Sequence, residues 1–279
     1  MNDALDTAAQ WLGSARKAIA LTGAGVSTES GIPDFRGAEG LWSRYDPGEY
    51  ATLGAFQANP RKVWGMLAEL DDLLDARPNP GHEAFARLEK GGALAGIVTQ
   101  NVDGLHQAAG SRNVVEFHGS NLTYSCLACG DSFPREAVAV MPREADSPMP
   151  VPPACKRAEV SRMGEQEAGD RGRDRGGDRG GEKPCVLKPD MVFFDEMIPQ
   201  AAIDGAWALV EEADLILVAG TSCEVYPASQ IPWEVRRRGG RVIEINLEPA
   251  SELQADLVLQ GLFSQTASAL HDRWSGLIQ

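Results

Sequence analysis

The sequence predicts an α/β fold: a mostly parallel sheet covered on both faces by helices. Three observations carry that expectation. Short runs that are predominantly apolar, rather than alternating, recur at 18–22, 94–99, 114–117, 215–219, 242–245 and 257–259, with single acids at Glu116 and Glu244, as strands buried on both faces favour. Helical patterns separate several of them, notably at 201–212 and 228–238, which is the alternation of βαβ units. The runs lead into Gly-, Asn-, Asp- and Ser-rich segments, placed where open parallel sheets hold ligands, beyond the carboxyl ends of their strands.

In chain order, 4–16 reads as a helix and leads into the strand 18–22, which ends in Gly23-Ala24-Gly25. Residues 37–80 break the alternation with helical patterning and the aromatics Trp42, Tyr45, Tyr50, Phe56 and Trp64, and read as a helical insertion. Strands follow at 94–99 and 114–117. Residues 122–189 hold four of the five cysteines and many prolines, and read as a second inserted module. Within it, 170–181 is DRGR-DRGG-DRGG, a repeat without a hydrophobic residue; it buries no apolar area and is expected to be disordered. The pairs 201–212 with 215–219 and 228–238 with 242–245 then resume the pattern, and the strand at 257–259 closes it.

The 279 residues suffice for one large domain or two small ones, with a core that needs no disulfides. Lys and Arg number 26 against 40 Asp and Glu, for a net charge of −14 and a pI near 4.8. The stretch 156–184 is nearly neutral, with eight basic and seven acidic residues, so the acidity belongs to the rest. Nucleic acids and anionic membranes attract cationic surface, so neither is an expected partner. The first residues carry no basic n-region or apolar h-region, and the apolar run 215–219 is too short to span a bilayer. A cytoplasmic location is expected; the oligomeric state is not legible.

Cys126-Leu-Ala-Cys129 is a CxxC pair, with Cys155 and Cys185 downstream. Four thiolates suit a tetrahedral structural Zn²⁺, a closed set with no position for substrate. The second pair is split by 29 residues, but the low-complexity tract fills most of that gap and prolines precede each cysteine. Lengthening a loop costs only ~0.6 kcal/mol per doubling. One zinc on Cys126, Cys129, Cys155 and Cys185 is therefore expected, with a redox CxxC as the alternative.

The glycines of Thr22-Gly23-Ala24-Gly25-Val26-Ser27 let main-chain N–H groups approach a phosphate. The continuation Ser30-Gly31-Ile32-Pro33-Asp34-Phe35-Arg36-Gly37 sets an acid, an aromatic and an arginine side by side in a loop. Thr99-Gln100-Asn101-Val102-Asp103-Gly104-Leu105-His106 offers two amides and a carboxylate suited to a carboxamide and sugar hydroxyls; taken alone, it also reads as an Asn/Asp turn that caps a helix. Gly220-Thr221-Ser222 reads as a phosphate or ribose cradle, and Asn246-Leu247-Glu248 as a hold on an adenosine ribose. Of the four histidines, His82 reads as packing or capping, His271 as solvated and His106 as orienting its neighbours. His118, at a strand end before Gly119, is the best placed general base.

Together, GAGVSTESGIPDFRG (23–37), TQNVDGLH (99–106), FHG (117–119), the CxxC with two later cysteines, KPDMVFFDE (188–196), GTS (220–222) and INLE (245–248) resemble the sirtuin (Sir2) family of NAD-dependent protein deacylases. They stand in the family's order and span nearly the whole chain except about 156–182. The resemblance implies a Rossmann-like NAD-binding domain over 1–36, 81–121 and 190–279. It also implies a smaller domain made of a helical module (37–80) and a zinc ribbon (122–189, with a disordered insertion at about 156–182).

It further implies NAD as co-substrate, cradled by Gly23, Ala24, Gly25, Gly220, Thr221 and Ser222, with Thr28, Asp34 and Glu248 as further contacts. Asn101 and Asp103 would line the nicotinamide pocket, Gln100 would contact the nicotinamide ribose and Asn246 the adenosine ribose. Phe35 would screen the anomeric carbon and Arg36 would help position the cofactor. His118 and Asn101 are the implied catalytic residues. Val192, Phe193, Phe194, Glu224 and Val225 would meet the acyl-lysine protein or peptide.

In the implied reaction the acyl oxygen attacks the anomeric carbon as neutral nicotinamide leaves, giving an alkylimidate. His118 then accepts a proton from the ribose hydroxyls so that the 2′ oxygen can attack. The products are deacylated lysine, nicotinamide and O-acyl-ADP-ribose. A mono-ADP-ribosyltransferase or NAD glycohydrolase on the same fold is the alternative. A noncatalytic NAD-binding regulator is a third reading, against which a base at His118 speaks.

Four positions depart from the family pattern or refine it. Asp195 stands where the family usually has the glycine of Phe-Gly-Glu, putting a charge where peptide backbone should pair. Cys223 replaces an aliphatic residue and is expected to be a small buried hydrophobe. After Asn59-Pro60-Arg61-Lys62-Val63-Trp64, the positions that hold Tyr and Arg in members taking succinyl- or malonyl-lysine fall on Leu67 and Leu70. The two leucines belong either to an apolar acyl pocket or to a helix's core face. Both readings disfavour succinyl-lysine unless a cation such as Arg44 or Arg61 reaches the pocket.

Overall fold

The structure, a computed structural model, describes residues 2–35, 37, 40–71, 76–153 and 185–278. Arg36, Cys155 and the 170–181 repeat lie outside them. Six parallel strands form the main sheet: β1 (Ala18–Thr22), β2 (Ile97–Thr99), β3 (Val114–Glu116), β7 (Leu215–Ala219), β8 (Arg241–Asn246) and β9 (Leu257–Gln260), in the order β3-β2-β1-β7-β8-β9. From β1 the chain builds outward through β2 and β3, then returns to β1's other side with β7, β8 and β9. The order thus reverses between β1 and β7, both fully buried. Loops leaving a switch point diverge and open a crevice at the carboxyl edge.

Alternate strand residues feed two cores, as a doubly covered sheet requires. On one face Ala20, Leu217 and Ile245 pack against Phe85, Leu88, Phe263 and Trp274. These come from α6 (Pro80–Lys90) and α11 (Phe263–Leu277). On the other, Ile19, Leu21, Ile216 and Val218 pack against Leu209 and Val210 of α9 (Gln200–Val210) and Ile231 and Val235 of α10 (Gln230–Arg237). The apolar run 94–99 yields a strand only from Ile97, because the Ala93 and Leu94 N–H groups close the end of α6 on the Leu88 carbonyl. That end competes successfully for the donors an extended strand would use.

Histidine expectations divide. His82 caps α6: Asn79 Oδ1 accepts from the Gly81 and His82 N–H groups, and the Asn79 N–H donates to His82 Nδ1. His271, expected in solvent, instead lies against Trp274 with its side chain only 17% exposed. Its position on the flank of α11 is set by the helix period, not by the polarity of its neighbours.

The second sheet is antiparallel, in the order β5-β4-β6, from β4 (Gly119–Cys126), β5 (Ser132–Pro134) and β6 (Leu187–Met191). It shares one core with α4 (Leu53–Ala58) and α5 (Pro60–Asp71). Trp64 stacks on Tyr124 at 5.6 Å and donates its indole N–H to the Leu187 carbonyl at 3.0 Å. The helical segment and the cysteine-bearing segment, separate in sequence, are thus one packing unit. Leu67 is buried in it and Leu70 packs against it. Both belong to this core, and neither lines the cleft described below. No helix among the described residues is long and apolar enough to cross a membrane.

Candidate active site

The carboxyl edge of the main sheet and the small sheet enclose a cleft of about 1250 Å³. Its floor is main chain. The Gly25 N–H donates to the Gly220 carbonyl at 2.8 Å, and the Gly23 N–H donates to the Ala219 carbonyl. A Cβ on Gly220, whose φ is +61°, would fall 2.3 Å from the Val26 nitrogen. Only glycine permits this contact between the two switch-point loops. The Ala24 N–H has no acceptor among the described residues, which leaves it for a ligand.

Side chains at three strand ends are tied together across the cleft. Gln100 Nε2 donates to Thr221 Oγ1 at 3.0 Å. The Thr221 N–H donates to Asn246 Oδ1, and Asn246 Nδ2 donates to the Thr221 carbonyl and to the buried Glu244 carboxylate. Thr28, Asp34, Phe35, Ser222 and Glu248 also line the cleft. Phe35 stacks on Trp42 at 5.3 Å and Trp42 lies 6.4 Å from Phe194, so an aromatic series links the cofactor loop to the candidate peptide wall.

Asn101 is buried at the cleft, its amide donating to Ser27 Oγ at 3.1 Å; Ser27 in turn donates to Asp103 Oδ2 at 2.7 Å. Asp103 does not itself line the cleft; it stands behind Asn101, and burial raises its pKa. Ser27 was not among the expected site residues. It lay inside the GAGVS motif, but its role as the hub between two loops is a tertiary fact.

His118 Nδ1 lies 3.2 Å from the Gln100 carbonyl. A carbonyl only accepts, so Nδ1 carries the proton and Nε2 presents its lone pair to the cleft. Burial lowers the imidazole pKa, and the carbonyl contact partly opposes that. Because the base works when neutral, a lowered pKa keeps it competent as the pH falls. The acid limb of kcat/KM is therefore expected below the ordinary imidazole value of ~6.5. A limb above that value would contradict the assignment.

The candidate peptide wall is tied to the same histidine. The Val192 N–H donates to the His118 carbonyl at 2.7 Å, and Phe194 pairs with the Ala51 carbonyl and Leu53 N–H. Phe193 is buried, and Glu224 and Val225 also line the cleft. Lys188, 5% exposed, pairs with Glu196 at 2.9 Å and donates to the Pro189 and Met191 carbonyls. The two ends of KPDMVFFDE thereby hold its middle in place, a link the sequence did not disclose. Asp195 has φ +64°, the left-handed region that favours glycine and that Asp tolerates better than most residues. Cys223 is buried, and burial pushes its thiol up to about 12, so it stays protonated and acts as a small hydrophobe.

Cys126 and Cys129 lie on a turn closed by the Gly130 N–H on the Cys126 carbonyl at 2.8 Å. The Leu127 N–H, inside that turn, donates to the Val186 carbonyl at 2.9 Å, so the segment that begins at Cys185 pairs with the turn. Among the described residues no group of three or more His, Cys, Asp or Glu is placed to hold a metal, and Cys155 lies outside them.

Comparison with known proteins agrees with this geometry. The Sir2 family profile matches residues 23–227. The NAD-dependent protein deacylase 1 of Archaeoglobus fulgidus is 43% identical over 229 residues, covering 82% of this chain and 80% of that protein. A crystal structure of a Sir2 homolog–NAD complex superimposes with a TM-score of 0.77 at 38% identity, covering 98% and 95% of the two chains. A Sir2 variant solved with a deacetylated p53 peptide and 3′-O-acetyl-ADP-ribose gives 0.76 at 30% identity, covering 96% and 97%.

Proposed function

The chain belongs to the Sir2 family, and on that premise we propose that its cleft performs NAD-dependent protein-lysine deacylation. One observation carries the proposal. His118 is anchored through its ring to the Gln100 loop, on the cofactor side, and through its carbonyl to Val192, on the peptide side. A base so held sits where two substrates meet.

The residues fit NAD. The glycine floor and the Ala24 N–H suit a pyrophosphate, Gln100 and Asn246 suit the two riboses, and Asn101, held by Ser27, suits a carboxamide. Bound NAD supplies an electrophilic anomeric carbon whose leaving group departs neutral. The protein orients the acyl-lysine along Val192–Phe194, screens the centre from water with Phe35 and takes a ribose hydroxyl proton on His118 Nε2. We further propose that Cys126, Cys129, Cys185 and Cys155 bind one structural Zn²⁺, supported by the CxxC turn and its pairing with the segment that begins at Cys185.

The acyl group is expected to be uncharged. The described residues lining the cleft include Asp34, Asp195, Glu196, Glu224 and Glu248 but neither Lys nor Arg. The two candidate cations are engaged elsewhere, Arg44 with Glu69 and Arg61 with Glu144, each at 2.6 Å. A succinyl carboxylate would enter unpaired, at a cost of at least ~1–3 kcal/mol, or about 5- to 150-fold in rate. Steady-state kinetics on matched peptides, each strictly dependent on added NAD, should give kcat/KM for acetyl-lysine at least about fivefold above succinyl-lysine. A succinyl preference would contradict this reading of the pocket.

A further inference from the structure

His106 is outside the machinery assigned above, yet it is the most deeply buried histidine that touches a strand end leading into the site. Its side chain is 1% exposed, with the His82 ring 4.8 Å away and the Phe85 ring 6.3 Å away. Its Nε2 lies 3.0 Å from Thr22 Oγ1 at the end of β1. Thr22 donates to Thr99 Oγ1 at 2.9 Å, at the end of β2, and Thr99 Oγ1 accepts the Asn101 N–H at 3.1 Å. Thr22 and Thr99 are both buried.

His106 Nε2 is the buried end of this chain of hydrogen bonds, joined to the Thr22 hydroxyl. His106 Nδ1 is buried without a partner among the described residues. A residue selected only to fill this space would be Phe or Leu, neither of which carries that orphan atom. Burial holds the pKa of His106 well below its ordinary value and that of His82 at about 4, so the ring stays neutral at working pH.

We propose that His106 is a positioning residue for Asn101. Its Nε2 anchors a buried relay, through the Thr22 and Thr99 hydroxyls, that fixes the Asn101 main chain while Ser27 fixes its side-chain amide. The relay links β1 to β2, the two strands whose following loops hold the cofactor and nicotinamide sides of the cleft. Its kinetic consequence rests on the deacylase reading; its structural consequence does not.

Three variants separate the relay from simple packing. His106→Phe keeps a ring and removes the hydrogen-bonding nitrogen, His106→Gln restores a polar group that can donate or accept, and Thr22→Val breaks the relay while leaving His106 in place. Each is read by hydrogen–deuterium exchange and by acetyl-peptide turnover. H106F and T22V should exchange about 2- to 10-fold faster over residues 100–104, the equivalent of one net hydrogen bond, with α6 protected as in wild type. Both should lose about 10- to 100-fold in kcat with a peptide KM near wild type, and H106Q should recover most of each loss.

Wild-type exchange at 100–104 in both H106F and T22V would overturn the inference. So would faster exchange spread equally through α6, or an H106Q no better than H106F, since either marks a packing role. If wild type does not turn over acetyl peptide but the exchange pattern appears, the deacylase reading fails and the positioning role stands.

Discussion

Replacing His118 by Ala is expected to lower kcat/KM for deacylation by about 10²–10⁴-fold, the usual contribution of a general base, while the fold survives. The chemistry is lost because Nε2 is the acceptor that the Gln100 carbonyl leaves free. The fold survives because the variant deletes one side-chain hydrogen bond, worth ~0.5–1.5 kcal/mol net. The main-chain bond from Val192 to the His118 carbonyl does not depend on the side chain. NAD affinity, measured by calorimetry, should move much less than turnover. A variant that keeps more than about a tenth of wild-type activity would remove His118 from the base role.

Cys126→Ser is expected to empty the zinc site and unfold the small sheet. Structural zinc contributes an apparent ~10–16 kcal/mol in finger peptides, comparable to the whole stability of an ordinary domain, ~5–15 kcal/mol. Cys126 is 3% exposed and shares its core with Trp64, Tyr124 and Leu187, so the damage should appear as loss of the near-ultraviolet signal of the stacked Trp64–Tyr124 pair. It should also reach the chemistry, because β6 runs directly into Val192–Phe194. Metal analysis should give one zinc per wild-type chain and none in the variant. A full zinc complement retained by Cys126→Ser would contradict the four-cysteine site.

The main sheet was legible because a strand buried on both faces is predominantly apolar rather than alternating. The runs at 18–22 and 215–219 became β1 and β7 residue for residue. Strand ends were legible as well, since glycine and amide residues cluster where the chain must leave the sheet and meet a ligand. What stayed hidden was contact between distant segments. Nothing local marks Ser27 as the link between Asn101 and Asp103, or Lys188 as the partner of Glu196. The run at 94–99 misled at its start, because helix closure outcompetes pairing there. His271 misled because its neighbours in sequence are polar while its neighbour in space is Trp274. Leu67 and Leu70 were ambiguous by spacing alone, and only packing assigned them to the core.

His118 is assigned to complete an acyl transfer from lysine to the ribose of NAD, rather than a transfer of ADP-ribose to protein or water. Mass spectrometry of an acetyl-lysine peptide incubated with the protein and NAD tests it most directly. Deacetylated peptide and O-acetyl-ADP-ribose are expected in equal amounts, with one nicotinamide released for each. ADP-ribosylated protein, or free ADP-ribose with the peptide still acetylated, would contradict it.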